Sequence, residues 1–239
     1  MKFENTEVWG FEHALRGCRN PMNSWAKGDS GYIDRRFNDQ FHIGKNDLDL
    51  AQRLIKAGSE HRKFLRQIFV SVDITAPMYW WNEFDTYKVG TVANSTSKMH
   101  KLASTPITMD CFEMDDFADN DEESNEYNLY TKNMWLKLID HLEALRKEFN
   151  ETKDKRYWKE LIRLLPESWL QKRTVTMSYE NVLNMYTQRR NHKLNEWSGK
   201  DDPVKPNFCS WVLELPYAKQ FFIEPFENKK QGGLNETVL

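Results

Sequence analysis

Residues 68–101 read IFVSVDITAPMYWWNEFDTYKVGTVANSTSKMHK. Ile68, Val70, Val72 and Ile74 alternate with Phe69, Ser71, Asp73 and Thr75, the period of a strand with one face in a core. Thr75-Ala76-Pro77 has the form of a cap with proline in the first turn. It opens a helix through Trp80, Trp81 and Phe84. From Tyr87 to Ser97 the residues become small and polar, which predicts a loop. Within it, Asn94 to His100 offers hydroxyls, little side-chain obstruction and an ammonium group. Those features suit a phosphate, and a plain polar loop accounts for the same residues.

On the N-terminal side, residues 2–9 alternate loosely as a strand. Phe11–Cys18 reads as a short helix stopped by Asn20-Pro21. Residues 20–45, rich in Gly, Asn, Asp and Arg, predict a long loop. Asn46 is a fitting N-cap for a helix with Leu48, Ala51, Leu54 and Ile55 on one face, and Gly58 a fitting C′ residue.

On the C-terminal side, Asp115 to Glu126 is an acidic run, the pattern of a solvated loop. Trp135, Leu138, Leu142, Leu145 and Phe149 step by three and four, and Tyr157 to Leu165 repeats the pattern until Pro166. Ser178 caps a long helix carrying Tyr179, Leu183, Tyr186, Leu194 and Trp197 on one face. At about 100° per residue, Arg190 falls within that stripe, and Arg189 at its edge. An arginine in an apolar stripe needs a partner, because an unpaired buried charge is costly. That partner is a structural carboxylate, an anionic ligand or another subunit. A last helix is expected over about 207–215, and the tail QGGLNETVL is expected to be loose.

The chain has 239 residues, 39% of them hydrophobic, which fits one domain over 1–239 with variable loops at about 20–45 and 115–128. A formal net charge of −2 excludes nucleic-acid binding through a general basic field. The N-terminus lacks the apolar segment of a signal peptide, and no run is long enough to span a membrane. Cys18, Cys111 and Cys209 are far apart and odd in number, which argues against a disulfide scaffold or a structural zinc site and fits a cytoplasmic protein. Nine tryptophans imply a core of large residues or a site that stacks a flat ring. The phosphate-loop, dinucleotide, zinc-protease and nucleophile-elbow motifs are all missing. His192 and Glu196 lie one helical turn apart with no third ligand in view, so an ordinary surface pair is the commoner reading.

Together these segments resemble the flavin-dependent thymidylate synthases across about residues 8–215. The order carries the resemblance: a helix ending at Gly58, the segment Glu60-His-Arg-Lys-Phe-Leu-Arg66, a strand, a short helix and a serine loop. Leu165-Pro166-Glu167-Ser168 follows, and then a helix with Asn184 and an arginine. The resemblance implies an α/β (α+β) fold with a central, mostly antiparallel sheet flanked by long helices. It implies methylation of deoxyuridylate to thymidylate with FAD, NADPH and methylenetetrahydrofolate. No protein nucleophile is needed, because the protein mainly orients the rings. It also implies a homotetramer with sites between subunits.

By the same resemblance, Ser95, Ser97 and Lys98 are candidates to contact a pyrimidine nucleotide, together with Arg189 or Arg190. His61, Arg66, Asn184, Tyr87 and Lys88 are the corresponding cofactor candidates. The family hallmark is Arg-His-Arg, seven residues, then Ser. Here the register from Ser95 gives Asp85-Thr86-Tyr87, and that from Ser97 gives Tyr87-Lys88-Val89. The basic triplet is absent in both. Two further readings share these residues. One is a nucleotide-binding relative with changed or lost chemistry, with Trp80, Trp81 and Tyr87 stacking another ring. The other is a non-enzymatic interaction protein using the acidic run and aromatic patches.

Overall fold

β1 (Lys2–Trp9) opens the chain and α1 (Phe11–Cys18) follows, with the bounds the sequence predicts. The structure, a computed structural model, describes residues 1–33, 41–114 and 126–227. The acidic run at 115–125, part of the expected loop at 34–40 and the tail from 228 lie outside the described residues. A short antiparallel pair of two-residue strands, β2 (Gly31–Tyr32) and β3 (Phe41–His42), leads to α2 (Lys45–Lys56). The N-cap of α2 is Gly44, not Asn46. The Asp29 carboxylate accepts the N–H groups of Asn46 and Asp47 instead, so the cap comes from a distant loop. Gly58 follows the helix at φ 107°, as a C′ residue does.

β4 (Phe69–Pro77) buries Val70, Val72, Ile74 and Ala76, the alternation seen at 68–75. The strand runs to Pro77, which is the N-cap of α3 (Met78–Phe84) rather than a member of its first turn. β5 (Thr91–Ser95) corrects the loop expected over 87–97. It is an edge strand paired on one side only, so its small polar residues face solvent and show no hydrophobic period. α4 (Lys98–Lys101), α5 (Glu126–Thr152) and α6 (Lys155–Leu164) come next.

β6 (Leu170–Ser178) is the element that the hydropathy pattern does not announce. Its buried face carries Gln171 and Arg173 beside Val175 and Met177, so two of the four inward positions are polar. The sheet order is β1-β4-β6-β5 and every pairing is antiparallel. β4 and β6 pair along their whole length, from Phe69 opposite Ser178 to Pro77 opposite Leu170. The fold is therefore α/β of the α+β kind, as expected.

Ser178 caps α7 (Tyr179–Arg189) with a reciprocal capping box to Asn181. The helix stops at Arg189 rather than continuing through Trp197. A turn leads to α8 (Asn195–Ser198), which returns Trp197 onto Trp80 at a ring separation of 4.4 Å. A continuous helix would carry Trp197 about 12 Å further along its axis. This break leaves Arg190 exposed at the C-cap, correcting its expected place in the apolar stripe, and gives Arg189 the half-buried position. α9 (Phe208–Glu214), capped by Asn207, and α10 (Ala218–Phe222) complete the described helices.

The core divides into two clusters. The larger lies against the sheet and contains Trp80, Trp81, Trp197 and Phe208. The smaller joins α5 and α6 to the segment 102–112 through Leu102, Ile107, Leu142 and Leu161. Among the described residues no helix is long and apolar enough to cross a membrane.

Candidate functional site

Two clefts open at the two ends of β5. The first, of about 620 Å³, lies where α7 starts against the turn at 86–90. Glu180, Asn184 and Gln188 line it at i, i+4, i+8, so one polar stripe of α7 forms its wall. Arg66, Phe69 and Tyr87 face them. The second cleft, of about 610 Å³, sits between the sheet and the helical arm. Ser95, Thr96, Ser97 and Lys98 line one side, Arg163, Leu165 and Glu167 the other.

The first cleft gathers three of the five cofactor candidates: Arg66, Asn184 and Tyr87. His61 and Lys88 are exposed and do not line it. The second gathers three of the nucleotide candidates, Ser95, Ser97 and Lys98. Arg189 and Arg190 line neither. Arg189 lies behind the first cleft instead. Its guanidinium donates to the Glu83 carboxylate at 2.7 Å and to the Tyr87 hydroxyl at 2.9 Å, and stacks 4.9 Å over Trp197. It holds Tyr87 in place and is already charge-paired. His192 Nε2 also reaches Glu83, at 3.3 Å, while Glu196 accepts from the Tyr79 hydroxyl. The two residues of the candidate metal pair are therefore engaged elsewhere, and no metal-type cluster occurs among the described residues.

Trp80 and Trp81 are fully buried and meet edge to face, and Trp80 stacks on Phe84 and on Trp197. They belong to the core and cannot receive a ring. Tyr87 alone of that aromatic set reaches a cleft.

Several residues that organise the site gave no signal in the sequence. Glu180, buried at the first turn of α7, accepts from Arg62 Nε and Arg66 Nε, each at 3.1 Å. Arg173, 8% exposed, stacks 4.2 Å over Trp81, donates to Asp85 at 2.8 Å and to Gln171 Oε1 at 3.0 Å. The Gln171 amide then donates to the Thr96 carbonyl, while the Thr96 N–H donates to the Lys172 carbonyl. Two bonds thus fasten the start of the Thr96–Lys98 segment to β6. The one available clue was the Arg173-Thr-Val-Thr alternation, which is strand-like but places a cation on the inward face.

The charge states of the clefts differ. In the first, Arg62 and Arg66 share the one carboxylate of Glu180. In the second, Lys98 has no carboxylate partner among the described residues, and Arg163 pairs only with solvent-exposed Glu160. Burial pushes the Cys18 and Cys209 thiols up to about 12, so neither is a nucleophile near neutral pH.

No family model matches the sequence, and no curated protein matches it. Among solved structures, the chain is similar to flavin-dependent thymidylate synthase ThyX from Helicobacter pylori complexed with FAD and dUMP. The identity is 17%, 95% of this chain and 100% of that chain are covered, and the TM-score is 0.61. A second structure of the Helicobacter pylori enzyme with FAD and dUMP gives 17% identity, 94% and 99% coverage, and a TM-score of 0.60. The chain therefore has the fold of the flavin-dependent thymidylate synthases.

Proposed function

We propose that this chain binds a pyrimidine nucleotide, with the phosphate in the cleft of Ser95, Thr96, Ser97 and Lys98. The observation that carries this reading is the assembly of those residues with Arg163 around one opening. Hydroxyls and an ammonium with no carboxylate partner among the described residues suit a phosphate, and the segment is held ready by Gln171 and Lys172 of β6. The fold likeness supports it, because the similar enzyme was solved with dUMP.

A second reading is thymidylate synthase chemistry with FAD, NADPH and methylenetetrahydrofolate. It is favoured by the convergence of Arg66, Asn184 and Tyr87 on the first cleft, and by the FAD in the similar enzyme. The aromatic and amide groups of that cleft fit a flavin ring. They offer no uncompensated cation beyond Arg66 for a diphosphate. When bound, a flavin supplies hydride equivalents. The chain's own part is to orient rings, exclude water and fix the nucleotide phosphate. One cleft touches Gly90 and the other Ser95, so they are about 16 Å apart along the strand. Reacting groups must approach to about 3–3.5 Å. By the family resemblance a second copy completes each site, so a homo-oligomer is part of this second reading.

The test is a thermal melt with dUMP and other pyrimidine nucleotides. Saturation at about 100 times Kd stabilises the native state by about 2.7 kcal/mol, a readable rise in Tm. Absence of any shift across the series would falsify nucleotide binding. A monomer by light scattering removes the methyl-transfer reading and leaves nucleotide binding standing.

A further inference from the structure

Gln171 is a buried polar side chain in the wall of the second cleft. It sits on the inward face of β6, 7% exposed, and lines the opening with Ser95, Thr96, Ser97 and Lys98. Arg173 is two residues on, so both side chains leave the strand on the same face. A buried amide carries a donor end and an acceptor end, and its neighbours decide which way each points.

Here the neighbours leave one choice. Arg173 Nε donates to Gln171 Oε1 at 3.0 Å, and Gln171 Nε2 donates to the Thr96 carbonyl at 2.8 Å. Turning the amide over would set its NH2 against a guanidinium, which only donates, and its oxygen against a carbonyl, which only accepts. Arg173 is itself held. Its Nη1 donates to Asp85 at 2.8 Å, and its guanidinium lies 4.2 Å over the fully buried Trp81. One Nε2 hydrogen goes to Thr96, and the other has no partner among the described residues. Gln171 therefore turns its donor end to the cleft. A donor fixed in advance and kept out of water is a strong partner for an anionic oxygen.

We infer that Gln171 is a specificity-determining residue of this cleft: its Nε2–H donates to an oxygen of the bound phosphate, and the Asp85–Arg173 pair keeps that donor turned inward. The inference rests on the nucleotide reading and adds a buried donor to the hydroxyls and the ammonium at the opening. Arg173 acts through Gln171 and is a positioning residue.

Two variants of the full chain test it. Gln171→Glu keeps the shape and the bond from Arg173, but sets a carboxylate oxygen against the Thr96 carbonyl and the phosphate. Gln171→Met loses both bonds and adds no charge. A side chain that only ties the structure together would lower Tm and dUMP affinity in the same order across the two variants. The geometry predicts opposite orders. Gln171→Glu keeps the higher Tm of the two, yet binds dUMP more weakly than Gln171→Met and at least about tenfold more weakly than the unaltered chain. Without ligand, the Thr96 N–H, which donates to the Lys172 carbonyl, exchanges with solvent about tenfold faster in both variants, while the β4 amides keep their rates. If the unaltered chain binds dUMP and Gln171→Glu changes that affinity by less than about twofold, the inference alone is overturned. The same order in both measurements, or an unchanged Thr96 exchange rate, overturns it as well. An unaltered chain that binds no pyrimidine nucleotide overturns the nucleotide reading and this inference with it.

Discussion

At the Gly90 end of β5, the charges are answered from within the chain; at the Ser95 end, a cation is left open. Arg62 and Arg66 share the Glu180 carboxylate and Arg189 holds that of Glu83 at the first end. Lys98 holds none among the described residues at the second. The first end rests on the aromatic core, through Arg189 over Trp197. The second is a seam between two separate apolar clusters. A wall whose groups are locked by neighbours reads shape and hydrogen-bond direction. A seam with an unpaired ammonium reads charge.

The strongest way to break this comparison is Trp197→Ala. The side chain is fully buried, stacked at 4.4 Å on Trp80 and lying under Arg189. Removing it leaves a cavity and costs about 3–5 kcal/mol, measured by urea unfolding. A loss under about 1 kcal/mol would mean that the Gly90 end does not rest on the core. Asp85→Asn comes next. It leaves the Arg173 guanidinium, 8% exposed, without its carboxylate. Breaking a fully buried pair costs about 3–5 kcal/mol, but Asp85 is 43% exposed, so about 1–2 kcal/mol is expected. A neutral result would show that Gln171 and the Trp81 face suffice for Arg173.

The same contrast explains what was legible in the sequence. The alternation in β4, the stripe of α2 and the Ser178 cap are local patterns, and local patterns are what a sequence displays. β6 was hidden because its buried positions include Gln171 and Arg173, whose burial is offset by partners elsewhere in the chain. The end of α7 was hidden because its cause, the stacking of Trp197 on Trp80, is tertiary. Ser95, Ser97 and Lys98 could be picked out because an open site keeps its chemistry within a few consecutive residues. Glu180 and Gln188 could not, because their roles come from pairings with Arg66 and Tyr87, 114 and 101 residues away. Arg190 was misplaced for the same reason as the helix end.

An effect of comparable size separates the two ends by pH. Glu143 on α5 accepts two bonds from Arg146, at 2.6 and 2.7 Å, and the Ile107 N–H at 2.9 Å. Arg146 in turn donates to the Ala103 carbonyl, pinning the segment that follows α4 beside the Ser95 end. The Arg146 hydrogen bonds hold the Glu143 carboxyl at about 2, below its ordinary 4.5. With the folded value depressed, the unfolded chain takes up the proton first as pH falls. The stabilisation is therefore complete above about pH 4.5 and is lost as pH falls toward 2. Glu143→Gln should cost about 2 kcal/mol at neutral pH and almost nothing near pH 2, read from unfolding curves across that range. A pH-independent difference would show that the carboxylate charge is not the pin.

The smallest expected effect on stability is that of Lys98→Ala, and it bears most directly on the comparison. Lys98 is half-buried, carries no ion pair among the described residues and lies on a helix of four residues. Truncating it removes no internal partner, so unfolding free energy should change by less than about 0.5 kcal/mol. If the Ser95 end reads charge, the same change should abolish most of the Tm rise given by dUMP, because a phosphate then loses its one uncompensated ammonium on that side of the cleft. Raised salt should weaken what remains, since an interaction at an open cleft is screened. Flavin-ring binding at the Gly90 end should be untouched by either manipulation. A Lys98→Ala protein that melts several degrees lower without ligand would mean that the ammonium is a structural tie. The Ser95 end would then be as internally satisfied as the other, and the distinction between a locked wall and an open seam would fall.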